Sequence, residues 1–577
     1  MGLFRRTRRT HEIAPDEIFL DSSNLPGHNV VQFEGRVVQS LPNRAIFAVG
    51  LVFCIVALAF AFRAFSLEVL DGSSYADISR NNTLDRTLVF ATRGLILDRN
   101  GKELAWNEAP ARAVRVGGEV ENGTAASSSA YALRKYTTLP GFSHVLGFIQ
   151  YPRADSKGNW WSEEYIGKSG VESAFNDVLR GLNGSSMVET DARKAVQREN
   201  IIRPAEHGTD LRLSVDADVQ TALHRILSEK ARVQGYRGGA AIIMDVRTGE
   251  IIALTSFPEY DNQAFNDGNT TQVRAALSHA RTPMLDRAIS GQYAPGSIMK
   301  LIFAAGALNE GIISPEKKIL SKGALILPNP YDPARPSVFR DWTTHGWVNM
   351  REAIAVSSDE YFYVVGGGYG DQKGLGITKL DEYARRFGLG STTGFVLPGE
   401  AAGVIPTPDW KARLFPNDPI WRTGDTYHTS IGQYGFQITP LQAVRYVAAI
   451  ANGGKLLTPQ LTASSTPQWT DVGIPDEHLQ VVREGMRLAV TSTRRDSTLA
   501  LYQIPGIVLA GKSGTAQLGA NNEWVNSWNI GYWPNDNPKY AFAVVFEQAP
   551  SISAVGAGHG VREFFQWLVA NHPQYVN

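Results

Sequence analysis

The sequence predicts an α+β fold, in which an antiparallel sheet is flanked by helices and interrupted by a helical insert. Strand patterns occur at both ends of residues 211–577, and helical patterns fill the region between them as far as about residue 455. Strands that flank helices in this way imply a sheet whose edge strand closes over the insert. A long uncharged apolar segment near the N-terminus adds a single transmembrane helix to this architecture.

Residues 45–67 are predicted to form that transmembrane helix. No charged residue occurs in 45–62, and the apolar stretch continues past Arg63, which provides the ~20 residues needed to cross a bilayer. A cleaved signal peptide is the alternative, because Ala59-Phe60-Ala61 resembles a cleavage site. The lead of 44 residues, however, is far longer than the charged region of a signal peptide.

Charge predicts the orientation of this helix and excludes one class of partner. Arginine is more frequent before the helix than soon after it, so we expect residues 1–44 in the cytoplasm. The protein is then single-pass in the inner (cytoplasmic) membrane, with the rest of the chain periplasmic or extracellular. Basic and acidic residues both total 56, and this balance argues against nucleic acid as a partner.

The single cysteine limits the chemistry available outside the membrane. Cys54 lies inside the predicted span, so we expect neither an intramolecular disulfide nor a metal site with a thiolate ligand in the rest of the chain. The composition is 43% hydrophobic, which is ample for a packed core.

The region after the membrane helix divides in two. Residues 68–210 contain short apolar runs among glycine, serine and asparagine, which predicts an extended β-rich domain without a large core. Within it, residues 118–129 are poor in hydrophobic side chains and are predicted to be a loop. Residues 211–577 form the second domain, which begins with a strand near Leu211 and a helix containing Val219 and Leu223.

The remaining strands of the second domain come from its two ends. Residues 240–246 and 250–254 predict a β-hairpin. Near the C-terminus, three successive strands are predicted at 507–510, 525–533 and 540–548, followed by an amphipathic helix at 561–570.

Three short motifs carry the candidate chemistry: Ser297-Ile298-Met299-Lys300, Ser357-Ser358-Asp359 and Lys512-Ser513-Gly514-Thr515. A serine hydroxyl needs a neighbouring base to act as a nucleophile. If residues 297–310 are helical, Ser297 and Lys300 lie on one face of the helix. A lysine can be that base only if desolvation or a nearby cation lowers its pKa. Lys512 is a candidate for the cation, and Ser357 for a proton relay.

Two further matches to these short patterns serve as internal controls. Ser314-Pro315-Glu316-Lys317 repeats the spacing of the first motif, and Lys168-Ser169-Gly170 repeats part of the third. Ser314 lies in a polar stretch, whereas Ser297 follows a turn and precedes the apolar run 301–305. We therefore interpret Ser297 as the nucleophile at the N-terminus of a buried helix, where the helix dipole favours an oxyanion.

Other segments of the chain resemble the same protein family as the three motifs, and they therefore support the interpretation of Ser297 as the nucleophile. They are Arg93-Gly94-Leu95-Ile96-Leu97-Asp98-Arg99-Asn100-Gly101, Gly167-Lys168-Ser169-Gly170-Val171-Glu172, the stretch 293–300, Thr393-Gly394-Phe395, Leu397-Pro398-Gly399-Glu400, Trp410-Lys411 and Gly424-Asp425-Thr426. Over most of residues 68–550 the chain resembles the class B, monofunctional penicillin-binding proteins. Within that class it is most similar to the elongation-type penicillin-binding protein 2. Asp359 stands where division-type relatives usually carry asparagine.

The resemblance implies a membrane-anchored peptidoglycan D,D-transpeptidase with a non-catalytic pedestal (68–210) and a transpeptidase domain (211–577). It implies that Ser297 attacks the penultimate D-Ala of a stem peptide, with Lys300 as general base. Ser357 would relay a proton and be held by Asp359. The backbone N–H groups of Ser297 and Thr515 would form the oxyanion hole.

The resemblance also implies the substrate contacts and the partners. Lys512, Ser513, Gly514 and Thr515 would bind the donor peptide, and β-lactams would acylate the same serine. The substrates are stem peptides of peptidoglycan and glycan derived from lipid II. A SEDS-family glycan polymerase and elongation-complex proteins are the implied partners, contacted through the membrane helix and the pedestal. The segment between about 118 and 140 is shorter than the head subdomain usual in this family, which leaves open the contacts ascribed to that head.

No cofactor is implied, and we predict no metal site. Some relatives carry zinc near the second motif with a cysteine ligand, but only Asp332, Asp341 and His345 lie in the matching region here. We interpret these three as ordinary hydrogen-bonded polar residues.

Three other functions use some of the same residues. A class A β-lactamase would require an E-x-x-L-N pattern that this chain lacks. A D,D-carboxypeptidase would share every catalytic residue and differ only in admitting water to the acyl-enzyme. A β-lactam-binding protein without synthetic activity ranks last, because all the catalytic residue types are present. The acceptor residue, the oligomeric state and the protonation of Lys300 beside Asp359 stay open.

Overall fold

The computed structural model describes residues 43–74, 84–109, 130–156, 159–190, 196–329, 332–463, 466–552 and 556–576. The predicted cytoplasmic tail up to residue 42 and the predicted loop at 118–129 lie outside these ranges. The chain forms two compact units, residues 1–86 with 187–200, and residues 87–186 with 201–577.

The first unit contains the predicted membrane helix. Helix α1 spans Asn43–Phe65 and continues as a π-helical turn over Ser66–Leu70. The apolar stretch Ile46–Leu70 is long enough to cross a membrane, and its large hydrophobic side chains are exposed. Phe47, for example, is 78% exposed, which would be costly for a helix in water. The prediction of an apolar helix of spanning length is confirmed.

The described residues between the membrane helix and residue 213 form mainly short strands and short helices. The strands are β1 (Leu84–Val89), β2 (Ile96–Leu97), β3 (Glu103–Glu108), β4 (Leu133–Tyr136), β5 (Ile149–Gln150), β6 (Arg153–Ala154), β7 (Trp160–Ser162), β8 (Ile166–Gly167), β9 (Gly184–Thr190), β10 (Val196–Arg203) and β11 (Leu211–Arg212). The helices are α2 (Ser143–Leu146), α3 (Gly170–Ala174) and α4 (Asn176–Leu179). The larger sheets have the strand orders β1-β9-β10 and β11-β2-β3-β4.

A buried ion triad joins two of the sequence segments that resemble the family. Arg93 and Arg134 both donate to the carboxylate of Glu172, and all three side chains are inaccessible to solvent. Burial alone would raise the pKa of Glu172, but the two guanidinium groups outweigh it and lower this pKa. The triad therefore ties β4 and the segment around Arg93 to helix α3.

The second part of the chain is built on a five-stranded antiparallel sheet. It comprises β12 (Gly238–Asp245), β13 (Ile251–Phe257), β20 (Ala510–Leu518), β21 (Trp524–Trp533) and β22 (Tyr540–Pro550). The strand order is β13-β12-β22-β21-β20, so β20 lies at one edge. The predicted hairpin and the sheet that joins both ends of the domain are confirmed.

Alternate residues of the central strands belong to two different hydrophobic cores. Ala240, Ile242 and Met244 pack into one core, whereas Ala241 and Ile243 pack into the other. Because both faces of the sheet are covered, these strands appear in the sequence as continuous apolar runs rather than alternating ones.

The helices of this domain fill both sides of the sheet. They are α5 (Ala217–Val233), α6 (Asn262–Asn266), α7 (Thr270–Ser278), α8 (Lys300–Asn309), α9 (Met350–Val356), α10 (Asp359–Gly367), α11 (Gly376–Arg386), α12 (Pro408–Leu414), α13 (Thr423–Ser430), α14 (Pro440–Ala451), α15 (Asp476–Thr491) and α16 (Gly558–Asn571). The predicted C-terminal amphipathic helix is α16.

Two predictions of strand and helix need correction. Residues 507–509 are not a strand, because the carbonyls of Val508 and Leu509 accept hydrogen bonds from Asn535 and Arg487 instead of a neighbouring strand. The helical insert also contains strands that were not predicted. These are β14 (Ile319–Ser321), β15 (Ala324–Leu327), β16 (Ser337–Arg340) and β17 (Gly346–Val348), with β18 (Lys455–Leu457) and β19 (Trp469–Asp471) after the insert. Three or four residues are too few to show a periodic pattern.

Candidate active site

The first motif forms a tight turn in front of a buried helix. Ser297 lies in a 3-10 turn, Gly296–Met299, and the α-helix proper begins at Lys300 rather than at the serine. The backbone N–H of Lys300 donates to the carbonyl of Ser297. Residues three apart are eclipsed in a 3-10 turn, so Ser297 and Lys300 lie on the same side of the chain. The helix that follows is buried from Lys300 to Leu308.

This turn is held from several sides. The N–H of Gly296 donates to the carbonyl of Gly432 at 3.0 Å, and the indole of Trp528 donates to the carbonyl of Ala294 at 2.9 Å. Gly296 has φ +59°, and a Cβ atom there would lie 2.7 Å from the carbonyl oxygen of Thr515. Only glycine allows this approach, which brings the turn against strand β20.

The second motif occupies the junction of two helices. Ser357 ends helix α9 in the left-handed conformation, with φ 58° and ψ 39°. A residue other than glycine in this conformation costs about 1–3 kcal/mol, so neighbouring contacts must hold it there. Ser358 begins helix α10 as its N-cap, and its hydroxyl accepts from the N–H of Tyr361 at 3.2 Å.

The side chains of all three motifs meet at Ser357. The Lys300 Nζ atom lies 2.7 Å from the carbonyl oxygen of Ser357, 3.4 Å from its Oγ and 2.5 Å from Asp359 Oδ1. The Lys512 Nζ atom donates to Ser357 Oγ at 2.8 Å and to the carbonyl of Ser513 at 2.8 Å. Both lysines are fully buried. The site is thus a largely buried cluster of two amines, one hydroxyl and one carboxylate beside the Ser297 turn.

Burial and charge shift the proton affinities within this cluster. Desolvation, together with the charge of Lys300, lowers the pKa of Lys512 well below its ordinary value, although Asp359 opposes the shift. Desolvation raises the pKa of Asp359, and Lys300 opposes that shift. Lys512 therefore gives up its proton at a lower pH than a lysine in water.

The third motif lies on the edge strand β20. Lys512 and Gly514 are buried, whereas Ser513 is half-buried and Thr515 exposed, in the alternation of a strand. A Cβ atom at Gly514 would lie 2.9 Å from the carbonyl oxygen of Pro295. The glycine in this motif therefore lets the strand lie directly against the Ser297 turn.

The two control matches lie in different surroundings. Ser314 is exposed, and its carbonyl accepts from the N–H of Lys317 in a turn. Ser169 is the N-cap residue of helix α3. Neither belongs to a cluster like that around Ser357.

The site contains residues to which sequence reasoning assigned no functional role. Asp341 accepts from the Ser358 hydroxyl at 2.8 Å and from the Glu360 N–H at 2.9 Å. His345 lies beside Asp341, and Asp496 lies beside His345. The proximity of Asp341 and His345 to the second motif in the sequence was a usable signal. No sequence pattern around Asp496 indicates that it lies near the site.

Comparison with known families matches most of the chain. Residues 239–565 match the family described as penicillin binding protein transpeptidase domain, and residues 113–213 match the penicillin-binding protein dimerisation domain. The peptidoglycan D,D-transpeptidase MrdA of Acinetobacter baumannii is 30% identical over 605 residues, covering 90% of this chain and 86% of the relative. MrdA of Escherichia coli K12 is 29% identical over 462 residues, covering 74% and 70%.

Solved structures give the same result. The penicillin-binding protein PBP2 of Helicobacter pylori, solved in complex with MreC, has a TM-score of 0.67 and 26% identity, covering 85% of this chain and 99% of that chain. PBP2 of Pseudomonas aeruginosa, in complex with WCK 5153, has a TM-score of 0.66 and 27% identity, with 85% and 98% covered. A chain from a peptidoglycan synthase complex that coordinates polymerization and crosslinking has a TM-score of 0.68 and 26% identity, with 90% and 97% covered.

Proposed function

Because the chain belongs to the penicillin-binding protein transpeptidases, we propose that it is a peptidoglycan D,D-transpeptidase of the elongation type. The observation that carries this proposal is the convergence of two buried lysines on Ser357, beside the turn that presents Ser297. This arrangement provides a nucleophile, a base and a proton relay without a cofactor.

In the acylation half-reaction, Ser297 Oγ attacks the carbonyl carbon of the penultimate D-Ala of a stem peptide. Lys300 takes the hydroxyl proton, and the backbone N–H groups of Ser297 and Thr515 stabilise the oxyanion, an effect worth ~3–4 kcal/mol per donor in comparable acyl transfer. The carbon–nitrogen bond then breaks, and Ser357 passes a proton to the departing D-Ala amine. Asp359 holds Lys300 in place through this exchange.

In the second half-reaction, an amine of a neighbouring stem peptide attacks the acyl-enzyme and forms the crosslink. If water attacked instead, the enzyme would act as a D,D-carboxypeptidase with the same residues. A β-lactam would acylate Ser297 in the same way and remain attached.

Strand β20 is the proposed binding site for the donor peptide. Ser513, Gly514 and Thr515 lie along an edge strand, to which an extended peptide can add as a further strand. The terminal carboxylate of the donor would face Lys512, Ser513 and Thr515. An anion at this position favours the ammonium form of Lys512, so substrate binding would oppose the effect of burial on its pKa.

The anchor and the partners complete the proposal. We assign residues 1–44 to the cytoplasm, 45–67 to the inner membrane, 68–210 to the pedestal and 211–577 to the transpeptidase domain outside the membrane. The similarity to PBP2 solved with MreC, and to a chain of a peptidoglycan synthase complex, supports elongation-complex proteins and a SEDS-family glycan polymerase as partners.

The test uses the full-length protein in detergent with a labelled penicillin. The wild type and the Ser314→Ala variant should become covalently labelled, whereas Ser297→Ala should not. Ser314→Ala is the matched control, because it removes the serine of the same sequence pattern from an exposed turn. Labelling that survives in Ser297→Ala would exclude Ser297 as the nucleophile.

A further inference from the structure

We propose that a chain of charged groups, Arg494–Asp496–His345–Asp341, holds the second catalytic motif in place, and that His345 is a positioning residue for acylation. The proposal rests on the proposed function in one respect, since it assigns a role to residues behind Ser357.

The chain of charges begins at the catalytic motif. The Asp341 side chain is inaccessible to solvent, and its Oδ2 atom accepts from the Ser358 hydroxyl at 2.8 Å and from the Glu360 N–H at 2.9 Å. These two donors flank Asp359 in the first turn of helix α10. Asp341 therefore sets the position of the first turn of helix α10. This turn carries Asp359 and comes directly after the strained Ser357.

His345 connects Asp341 to a second carboxylate. Its Nδ1 atom lies 2.8 Å from Asp496 Oδ2, and its Nε2 atom lies 3.4 Å from Asp341 Oδ1. The ring is buried; its Nδ1 atom is hydrogen-bonded to Asp496, whereas its Nε2 atom faces Asp341 Oδ1 without a hydrogen bond among the described residues. His345 thus lies between two carboxylates, which favour its imidazolium form, and it packs edge-on against the ring of Trp342.

Arg494 completes the chain at its far end. Its guanidinium donates to both oxygens of Asp496, at 2.9 and 2.8 Å, and also to the carbonyl of His345 at 2.8 Å. A forked arginine contact of this kind fixes both the position and the orientation of the carboxylate. When His345 is protonated, two cations alternate with two anions along this chain of charges.

The charges around this chain lower the pKa of both carboxylates. Burial alone would raise the pKa of Asp341, but hydrogen bonding, chiefly to His345, and the nearby charge of Lys300 hold it at about 2. Burial would likewise raise the pKa of Asp496, but Arg494 and His345 hold it at about 2. Burial would lower the pKa of His345, yet Asp341 and Asp496 raise it above its ordinary value.

The donor set does not suit a metal ion. A guanidinium group already occupies one side of the Asp496 carboxylate, and a cation beside Arg494 would be repelled. Asp332, the third candidate ligand, instead bonds to Ala334 and Arg335. Across the described ranges, no set of three or more histidine, cysteine, aspartate or glutamate side chains is arranged to hold a metal.

The experiment compares His345→Gln, Arg494→Lys and Arg494→Ala with His559→Gln in the full-length protein in detergent. His559 is an exposed histidine on helix α16 and is the matched control. For each variant, stopped-flow measurement with a fluorescent penicillin gives the acylation rate constant and the dissociation constant of the non-covalent complex. End-point labelling gives the fraction of molecules that can react.

We expect His345→Gln to acylate about 10- to 100-fold more slowly, the scale of a small misplacement of catalytic groups. The dissociation constant and the labelled fraction should stay close to those of the wild type. Arg494→Lys keeps the charge and should lose less rate than Arg494→Ala. The ratio of wild-type to His345→Gln rates should be largest at low pH and shrink as the pH rises through the raised pKa of His345, because the imidazolium is then lost.

Several results would overturn the proposal. An unchanged rate constant with a reduced labelled fraction would show that His345 matters only for folding. A rate ratio that does not change with pH would exclude the imidazolium. Stoichiometric zinc in the purified protein, with acylation lost on chelation and restored by zinc, would replace the chain of charges by a metal. Loss of labelling in Ser297→Ala is measured separately, so these failures are distinct from failure of the proposed function.

Discussion

At the scale of single residues, the chemistry depends on where the cluster around Ser357 holds its protons. Lys300 and Lys512 both contact Ser357, while Asp359 contacts only Lys300. The sequence raised the concern that Asp359 would keep Lys300 protonated. In the structure, burial raises the pKa of Asp359 and lowers that of Lys512. The Asp359 carboxyl group therefore ionises less readily than it would in water, and Lys512 loses its proton more readily.

Replacing Asp359 should shift the pH dependence of acylation. The Asp359 carboxylate raises the pKa of Lys512, so Asp359→Asn should lower that pKa further. Because Lys512 is proposed to bind the donor carboxylate as an ammonium, the basic limb of the acylation profile should then move to lower pH. Asp332→Asn, which changes a carboxylate in an exposed loop, should leave the profile unmoved. A basic limb that moves to higher pH in Asp359→Asn would contradict this account of the cluster.

At the scale of elements, the sequence predicted the long or strongly patterned parts correctly. The hairpin of β12 and β13, the helix after Ser297 and the C-terminal helix all have clear periodicity or apolar runs. The segment 507–509 was wrongly predicted to be a strand, because an apolar run indicates burial rather than strand pairing. Ile507 and Leu509 are buried, but the carbonyl of Leu509 accepts a hydrogen bond from Arg487 and not from a neighbouring strand. The short strands β14 to β17 contain too few residues to show a periodic pattern in the sequence.

The buried triad of Glu172 with Arg93 and Arg134 is predicted to be a main stabilising contact of the pedestal elements. Glu172→Gln leaves two buried guanidinium groups without a countercharge, and breaking a buried ion pair in this way costs about 3–5 kcal/mol. We expect a clear fall in melting temperature by differential scanning calorimetry. Glu164→Gln, which removes an exposed partner of Arg180, should change it little.

The same triad predicts how stability depends on pH. The pKa of Glu172 is lowered in the folded protein, so its contribution is fully present above the unfolded pKa and is lost as the pH falls through the folded one. The difference in melting temperature between wild type and Glu172→Gln should therefore narrow in acid. A difference that widens in acid would show that Glu172 is not held as a carboxylate.

At the scale of the whole molecule, the sequence was sufficient for the family and for an apolar helix long enough to span a membrane. Local context separated Ser297 from Ser314, because a nucleophile turn needs a following buried helix and Ser314 has none. The residues behind the second motif were not predictable in the same way. Asp496 and Arg494 reach His345 only through the fold, from a loop far along the chain, and no spacing in the sequence records that contact.

The most direct test of the central claim is the reaction itself, followed by mass spectrometry. The full-length protein in detergent is supplied with a donor stem peptide ending in D-Ala-D-Ala and an acceptor stem peptide with a free amine. We predict a crosslinked product and one released D-Ala per crosslink, both absent with Ser297→Ala. Release of D-Ala with hydrolysed donor and no crosslink, under conditions in which wild-type protein is fully labelled by penicillin, would contradict the assignment as a transpeptidase.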